Sequence, residues 1–243
     1  MGEEGSGKRV AMMGYGPQAR EHASRLRDQG WEVTVVVRPG GMSWIRAVAD
    51  GFRPGLAKDA VATADIVSVN VPEAEQPAVW AYGIAPHLRP GALIVFAQGA
   101  AVYAGAVEPD ARFDVVLVTG GDVHEGCRVA VHQDATGRAL ERAATFARVV
   151  FGGAKVGTTT FASEVQSDLS DLVERVGGLP QLLAEWDRVL ANPSHEPDEA
   201  TLNYYEGLRA AVLADQAPPV VRPPSSRVAI AAARPGQRDR GAA

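Results

Sequence analysis

Two glycines at positions 14 and 16 follow the apolar run at residues 10–13 and precede Pro17. The first glycine permits a tight turn, and the second lets the backbone approach phosphate oxygens. A helix beginning near Pro17 presents free N–H groups and the positive end of its dipole. Ala19 replaces the third glycine of the common fingerprint and still allows close packing of helix against strand. The pattern predicts that this turn binds the pyrophosphate of a dinucleotide.

Arg38 indicates which dinucleotide is bound. In a strand–helix–strand unit that binds a dinucleotide, a carboxylate at the end of the second strand binds the ribose hydroxyls of NAD. An arginine at that position accommodates the 2′-phosphate of NADP. A glycine-rich turn at residues 39–42 leads from Arg38 to Ser43, whose hydroxyl and following helix N-terminus are available to the same phosphate. We therefore predict NADP(H). A role of Ser43 as N-cap of a helix starting at Trp44 is compatible with this.

Short apolar runs without polar alternation predict the strands that position this turn. They lie at residues 10–13, 33–37, 66–71, 93–97, 115–118 and 129–131. Such runs are typical of strands covered on both faces, so the fold class is predicted to be α/β, with a Rossmann-type doubly wound parallel sheet. Between the first two runs Ala19, Ala23 and Leu26 lie at helical spacing, and Gly30 ends that helix.

After Phe161 the pattern becomes helical, with helices predicted at 164–175, 179–190 and 198–214 and no further strand. We expect an NADP-binding Rossmann domain over 8–160 and a small all-helical substrate or dimerisation domain over 161–215. Three helices make a thin core by themselves, so they pack against the first domain or against a second copy of the chain. We expect a homodimer through the helical domain.

The two ends of the chain are expected to lack fixed structure: a flexible N-terminus at 1–7 and a disordered tail at 216–243. The tail contains five prolines, five arginines and one aspartate, which gives it a charge of +4 and leaves −9 on the rest of the −5 chain. Its charges are scattered, so a disordered tail is favoured over a functional basic arm.

Composition narrows the class of partner. The chain has 243 residues, of which 46% are hydrophobic and 22% charged, and its net charge of −5 argues against nucleic acid binding. Cys127 is the single cysteine, so an internal disulfide is excluded. We interpret Cys127 as a small buried hydrophobic residue. No apolar run approaches the roughly 18 residues that cross a bilayer, and residues 1–7 do not resemble a signal peptide. We expect a cytoplasmic protein with a small-molecule substrate and no membrane partner.

Many short segments between residues 8 and 175 resemble, in order, those of ketol-acid reductoisomerases. The similar segments are 14–18, 26–30, Arg38 with Ser43 and Trp44, 50–52, 64–67, 71–73 with Gln76 and Pro77, 84–88, 133–137, 152–153 and 159–161. The resemblance implies an NADPH-binding domain followed by an all-helical domain. Family members reduce and isomerise 2-acetolactate with two magnesium ions.

The predicted cofactor-binding residues combine the turn with positions implied by this resemblance. They are Gly14, Tyr15, Gly16, Pro17, Gln18, Arg38, Ser43, Val71, Pro72, Gln76 and Gly99.

Several departures from the family pattern fall on its chemistry. Gln98 stands where the family has a histidine at the end of the fourth strand, and glutamine does not titrate near neutral pH. The family's lysine-bearing loop corresponds to residues 118–122, which contain no lysine, and about ten residues after it are missing. The resemblance therefore implies that two catalytic groups have been lost.

The family's metal ligands are also largely replaced. An aspartate and a glutamate at i and i+4 of one helix, with two glutamates of a later helix, hold the two ions in the family. Here Asp168 is kept, Leu172 takes the i+4 position, and the later pair aligns loosely with Asn203 and Gly207, near Glu206. Leucine does not coordinate magnesium. We expect no metal site, and Mg²⁺ dependence is disfavoured.

An intact cofactor turn beside eroded catalytic groups predicts an NADPH-dependent reductase that transfers hydride to a C=N or C=O bond without metal, in specialised metabolism. Asp168 is the predicted catalytic residue, because a carboxylate stabilises a protonated imine and donates a proton if burial raises its pKa. Gln98 is the second candidate, for hydrogen bonding to the cofactor or substrate. Alternatively, Asp168 is an exposed helix residue near Glu164, with Asp171 pairing to Arg175, and Gln98 fills vacated space.

Other proton donors and other functions stay open. The alternative donors are Tyr103, His124, His132, Tyr204 and Tyr205. The alternative functions are a minimal magnesium-dependent ketol-acid reductoisomerase of branched-chain amino-acid synthesis and a non-catalytic NADP-binding sensor or scaffold.

Overall fold

Seven strands form one sheet in the computed structural model, which describes residues 8–120, 126–190 and 199–215. The strands are β1 (Arg9–Met13), β2 (Glu32–Val36), β3 (Ile66–Val69), β4 (Leu93–Phe96), β5 (Asp114–Gly120), β6 (Cys127–Gln133) and β7 (Val156–Thr160). Their order across the sheet is β2-β1-β3-β4-β5-β6-β7. The strands from β2 to β5 in this order pair in parallel. The predicted Rossmann-type α/β fold is confirmed.

Helices cover both faces of this sheet. They are α1 (Pro17–Asp28), α2 (Met42–Ala49), α3 (Ala57–Thr63), α4 (Gln76–Val79), α5 (Ala100–Tyr103), α6 (Ala139–Val150), α7 (Phe161–Arg175), α8 (Leu179–Leu190) and α9 (Glu199–Asp215). One apolar core contains residues of α1, α2 and α6. The other contains residues of α3, α5 and α7 to α9. The predicted apolar stripe of α1, Ala19, Ala23 and Leu26, is buried as expected.

The expectation of a wholly parallel sheet is wrong at one end. β6 runs antiparallel to β5, and β7 is parallel to β6. Only residues 121–126 separate β5 from β6, whereas a parallel return needs a crossover of about a dozen residues or more. β7 is a strand that the apolar runs did not predict. β7 has the sequence VGTTT and lies at the sheet edge, so it lacks the apolar run of a covered strand.

Most strand boundaries differ from the predicted ones by one or two residues. β3 ends at Val69, two residues before the predicted end at Val71. Pro72 has no N–H to donate to a neighbouring strand, and Val71 and Pro72 instead form part of a cleft wall. An apolar run therefore does not distinguish the last residue of a strand from the first residue of the site beyond it.

The three C-terminal helices pack on the sheet. α7 begins at Phe161, three residues earlier than predicted, because the Thr160 hydroxyl accepts a hydrogen bond from Ser163 N–H and caps it. Leu169, Trp186 and Leu208 of these helices share a core with the strands. This is the packing against the first domain that was one of the two expected arrangements. The domain boundaries and the homodimer stay predictions, and residues 1–7 and 216–243 lie outside the described residues. Among the described helices, none combines the length and apolarity needed to cross a bilayer.

Candidate functional site

A cleft of about 1160 Å³ lies at the carboxyl ends of β1, β2 and β3, and we call it the dinucleotide cleft. Its wall includes most of the predicted cofactor-binding residues. These are Gly14, Tyr15, Gly16, Pro17, Gln18, Arg38, Ser43, Val71 and Pro72. Two remaining candidates, Gln76 and Gly99, are not part of that wall. The sheet thus brings segments from three different strand ends to one cleft.

The two glycines of the turn have different roles. Gly14 has a φ of +94°, and a Cβ there would lie 2.9 Å from the main-chain oxygen of Asn70, so only glycine fits this tight turn. A Cβ at Gly16 would meet no protein atom within 4 Å. Gly16 therefore borders open space at the start of α1, where a phosphate group has room to approach the backbone.

Two helix N-termini border the same cleft. Gly16 is the N-cap of α1 and Gly41 that of α2, and neither helix has a side-chain cap or an acidic residue in its first turn. The predicted N-cap role of Ser43 is wrong, because α2 begins at Met42 and places Ser43 within its first turn. Arg38 is exposed and has no ion-pair partner within the described part of the chain. Uncapped N–H groups and an unpaired guanidinium suit phosphate groups.

Tyr15 lies in the turn, but its side chain is already engaged. The ring is 3% exposed and packs edge-on against Phe52. Its hydroxyl donates to Asp50 at 2.8 Å, and Arg20 donates to the same carboxylate at 2.6 Å. Burial, together with the hydrogen bond to Asp50, raises the pKa of Tyr15 to about 12. Tyr15 therefore ties the turn to the end of α2, which leaves its main chain to face a cofactor.

Gln76 and Gly99 lie outside the lining of the dinucleotide cleft. Gln76 is 1% exposed, and its amide nitrogen is 3.4 Å from the main-chain oxygen of Gln98. Its Oε1 has no hydrogen-bond partner among the residues that the structure describes. A Cβ at Gly99 would lie 2.8 Å from Val165 of α7. Gly99 is thus a packing residue that lets α7 approach the sheet, and Gln76 supports the segment that carries Gln98.

A second cavity of about 620 Å³ adjoins the dinucleotide cleft. The two share Gln18, Ala97 and Gln98 in their walls. Both predicted catalytic residues, Gln98 and Asp168, line the second cavity. The fold therefore brings together one residue after β4 and one residue of α7, which are seventy positions apart in the sequence.

Asp168 presents its carboxylate at the wall of the second cavity. It forms no hydrogen bond with any residue that the structure describes. Partial loss of solvent raises its pKa, and the carboxylates of Glu164 and Asp171 add to the rise, while Arg128 and Arg175 oppose it. The expected pairing of Asp171 with Arg175 is wrong in detail, because Arg175 donates to the main-chain oxygen of Asp171. Asp168 is thus available to a ligand, and its side chain is exposed on α7, as the alternative interpretation expected.

Glu73 is a residue of the second cavity that sequence reasoning missed. One carboxylate oxygen accepts from Ala100 N–H at 3.1 Å and the other from the Tyr204 hydroxyl at 3.3 Å. Burial raises its pKa, the two hydrogen bonds oppose the rise, and Asp168 adds to it. A signal existed in the sequence, because Glu73 follows Val71 and Pro72 at the carboxyl end of a buried strand.

Glu164 is the second acid that sequence reasoning did not assign. It is 4% exposed, accepts from the Thr119 hydroxyl at 2.6 Å and pairs with Nε of Arg128 through both oxygens at 3.0 Å. Thr119 lines the second cavity, whereas Glu164 does not. Glu164 therefore joins α7 to β5 and β6 and holds the helix that carries Asp168.

The alternative proton donors are mostly placed elsewhere. Neither Tyr103, His132 nor Tyr205 lines the cleft or the second cavity. Tyr204 is buried and reaches the cavity only through Glu73. His124 lies outside the described residues. Cys127 is buried, as expected of a small hydrophobe, and burial raises the pKa of its thiol.

Comparison with known proteins identifies the family. The model of the acetohydroxy acid isomeroreductase NADPH-binding domain matches residues 6–157. The ketol-acid reductoisomerase (NADP(+)) of Pyrobaculum islandicum is 39% identical over 222 residues, which cover 85% of this chain and 66% of that protein. The chain belongs to the ketol-acid reductoisomerase family. It spans about two thirds of the length of this curated relative.

Solved structures agree with the fold. An NADH-preferring ketol-acid reductoisomerase from an uncultured archean is 25% identical, with a TM-score of 0.61, and the match covers 86% of this chain and 68% of that one. An imine reductase from Myxococcus stipitatus is 16% identical, with a TM-score of 0.52 and coverage of 86% and 75%. The latter likeness shows a shared fold only.

The family's cofactor fits the residues present. The matched domain is an NADPH-binding one, and the dinucleotide cleft has the close-packed Gly14 turn, the open space at Gly16 and two uncapped helix N-termini. Arg38 and Ser43 stand at the end of the cleft formed by β2 and α2. These residues would supply hydrogen-bond donors to the phosphate groups of NADP(H).

The family's two magnesium ions do not fit the residues present. On α7 the position four residues after Asp168 is Leu172, which packs against the apolar core. Gly207 packs against Ala104, and the side chain of Asn203 lies outside the described set. Within residues 8–120, 126–190 and 199–215, no three His, Cys, Asp or Glu side chains are grouped as metal ligands. A two-metal site needs several carboxylates that converge on the ions. Four acids line the second cavity, Glu73, Asp168, Asp171 and Glu174, but no three of them are grouped closely enough to share an ion.

Proposed function

We propose that this chain transfers a hydride from NADPH to a C=N or C=O acceptor held in the second cavity, without a bound metal ion. The single observation that carries the proposal is the shared wall at Gln98. This residue borders the dinucleotide cleft on one side and, on the other, the cavity that contains Asp168. An acceptor in the second cavity would therefore lie beside a cofactor in the cleft, as hydride transfer requires.

The preference for NADP(H) over NAD(H) rests on Arg38 and Ser43. Arg38 is exposed at the end of β2, no described residue pairs with it, and it lines the cleft together with Ser43 of the first turn of α2. A guanidinium and helix N–H groups bind a 2′-phosphate more strongly than a ribose hydroxyl. We propose that these two residues hold that phosphate.

Two side chains have proposed roles in the chemistry. When bound, NADPH supplies a hydride that goes to the acceptor carbon, and a proton goes to the acceptor nitrogen or oxygen. Gln98 orients the acceptor through its amide, which both donates and accepts hydrogen bonds. Asp168 stabilises a protonated nitrogen by charge or supplies the proton, and the direction of its pKa shift, upward, is the one that donation requires.

The proposal is tested by following NADPH absorbance with a panel of cyclic imines and 2-oxoacids, once in EDTA and once with magnesium chloride. Oxidation of NADPH that EDTA does not reduce is the expected result. Strict dependence on added magnesium would contradict the metal-free reaction. The substrate that turns over also separates specialised metabolism, which we favour, from amino-acid synthesis.

A second candidate function is a magnesium-dependent ketol-acid reductoisomerase. It is favoured by the 39% identity to an enzyme of that name over 85% of this chain. Its test is conversion of 2-acetolactate to dihydroxyisovalerate with NADPH and magnesium. Product formation would establish this function in place of the first, and the absence of turnover on every acceptor would leave an NADP-binding sensor or scaffold.

A further inference from the structure

Glu73 links three separate parts of the molecule at the edge of the second cavity. It stands in the turn after β3, accepts from Ala100 N–H at the start of α5, and accepts from the Tyr204 hydroxyl of α9. One hydrogen bond reaches each carboxylate oxygen. The group is thereby fixed in place, and each oxygen keeps a lone pair for a further donor.

The position of Glu73 relates it to both halves of the site. Val71 and Pro72 line the dinucleotide cleft, while Glu73 lines the second cavity together with Gln98 and Asp168. Asp171, Glu174 and Arg175 of α7 complete the charged part of that wall. Acids outnumber the one cation among the described residues that line the cavity, and Arg128 behind the wall is paired with Glu164.

We propose that Glu73 binds the positively charged nitrogen of the acceptor, so that the substrate is a protonated imine whose product is an amine, and that Tyr204 positions this carboxylate from α9. The proposal rests on the proposed function and narrows its acceptor from C=N or C=O to a cationic C=N. Glu73 is a substrate-binding residue in this account, and Tyr204 is a positioning residue.

The physical reason is the cost of a carboxylate in a poorly solvated place. Burial disfavours the charge of Glu73, and the two hydrogen bonds offset only part of that cost. A ligand cation would offset the remainder and gain a charge-assisted hydrogen bond, which is about twice as strong as a neutral one. A neutral carbonyl compound gains neither benefit.

The packing of α9 fixes where Tyr204 lies. Tyr204 and Leu208 are buried in the core that the sheet shares with the helices. Gly207, one turn beyond Asn203, lets α9 approach α5 so closely that a Cβ there would lie 2.6 Å from the main-chain oxygen of Ala104. The Tyr204 hydroxyl therefore reaches Glu73 from a helix whose position is fixed by close packing.

The test uses calorimetry to measure the binding of pyrrolidine to the NADP⁺ complex of the full chain. Pyrrolidine is a cyclic amine that is cationic near neutral pH. We expect Glu73→Gln to weaken pyrrolidine binding about tenfold or more, as loss of a charge-assisted hydrogen bond predicts, and Glu73→Asp to restore part of it. Tyr204→Phe should weaken it about threefold, while Tyr205→Phe, its matched control, leaves it unchanged. The affinity for NADP⁺ in each variant reports an intact fold.

Tetrahydrofuran, a neutral ring of the same size, is the ligand control, and its binding should not respond to Glu73→Gln. Absence of pyrrolidine binding to the unmodified chain, or equal binding by Glu73→Gln, would overturn the inference. Turnover of 1-pyrroline is a separate measurement. Pyrrolidine binding that depends on Glu73 without any turnover of 1-pyrroline would contradict the proposed function and leave this recognition intact.

Discussion

The dinucleotide cleft and the second cavity are neighbours built in different ways. The phosphate-binding end of the cleft takes its donors from the main chain, through the glycine turn at residues 14–16 and the uncapped starts of α1 and α2. The second cavity takes its polar groups from side chains that follow β3 and β4 or lie on α7, namely Glu73, Gln98 and Asp168. One site depends on backbone conformation and the other on which side chains the packing brings together.

This difference explains how one half of the site resembles the family while the other departs from it. A backbone-built cleft needs only a few small residues close together in the sequence, so substitutions elsewhere leave it unchanged. A cavity built from side chains changes its chemistry with each substitution. The resemblance implies that Gln98 replaces a histidine and Leu172 a metal ligand. Both residues line the second cavity and neither belongs to the glycine turn.

The largest expected effect comes from substitutions in the glycine turn of the dinucleotide cleft. Gly14→Ala should destabilise the fold by about 3 kcal/mol, because a positive φ and a Cβ 2.9 Å from Asn70 O are both unfavourable, and NADPH binding should be lost. Gly16→Ala is the matched control, which should keep its thermal stability and lose about tenfold in NADPH affinity. Equal loss of stability in both variants would contradict the different roles assigned to the two glycines.

The next effect is a pH dependence of stability whose sign differs between α1 and the second cavity. Burial lowers the pKa of His22 on α1 to about 4, so between about pH 6.5 and 4 the unfolded chain binds a proton that the folded chain does not. Stability should therefore fall as the pH drops through this range, by about 3 kcal/mol in all. The raised pKa values of Glu73 and Asp168 act in the opposite direction, since the folded chain binds those protons first.

Urea unfolding of the unmodified chain and His22→Leu over this pH range checks that expectation. Leucine removes the titrating group and keeps an apolar side chain against Phe151, which His22 contacts with ring centres 5.0 Å apart. The variant should show a flatter stability profile below pH 6.5. An unchanged slope would mean that other groups dominate the acid response.

Asp168→Asn tests the side-chain half of the site. Loss of a charged or proton-donating group should reduce turnover of 1-pyrroline about 100-fold while NADPH affinity stays constant. Asp171→Asn, on the same helix and the same cavity wall, is the control and should keep most of the activity. Steady-state rates with fluorescence titration of NADPH distinguish the two effects, and similar losses in both variants would assign them to the general charge of the wall.

The smallest effect concerns the choice of dinucleotide. Arg38→Gln should weaken NADPH binding about tenfold, because a charge-assisted contact with the 2′-phosphate is lost, and leave NADH binding nearly unchanged. Ser43→Ala should weaken NADPH binding about twofold and also leave NADH binding nearly unchanged. Parallel titrations with both cofactors provide the measurement, and an equal decrease for NADPH and NADH would place Arg38 away from the 2′-phosphate.

Sequence patterns predicted the parts of this protein whose causes are local. The Gly14 turn, the start of α1 at Pro17 and the bounds of α8 depend on residues adjacent in the chain. The short connection before β6 explains its antiparallel direction, but the apolar runs alone did not predict that direction. β7 was missed because an edge strand needs no continuous apolar run.

The amino-acid sequence by itself determined the glycine turn, the covered strands and the arginine at the end of β2, since each is a matter of backbone conformation or residue type within a short window. Only the tertiary structure decided that Glu73 faces the second cavity with Asp168, and that Tyr204 of α9 holds it. Such meetings depend on how helices pack across 131 residues of chain, and no local pattern encodes them.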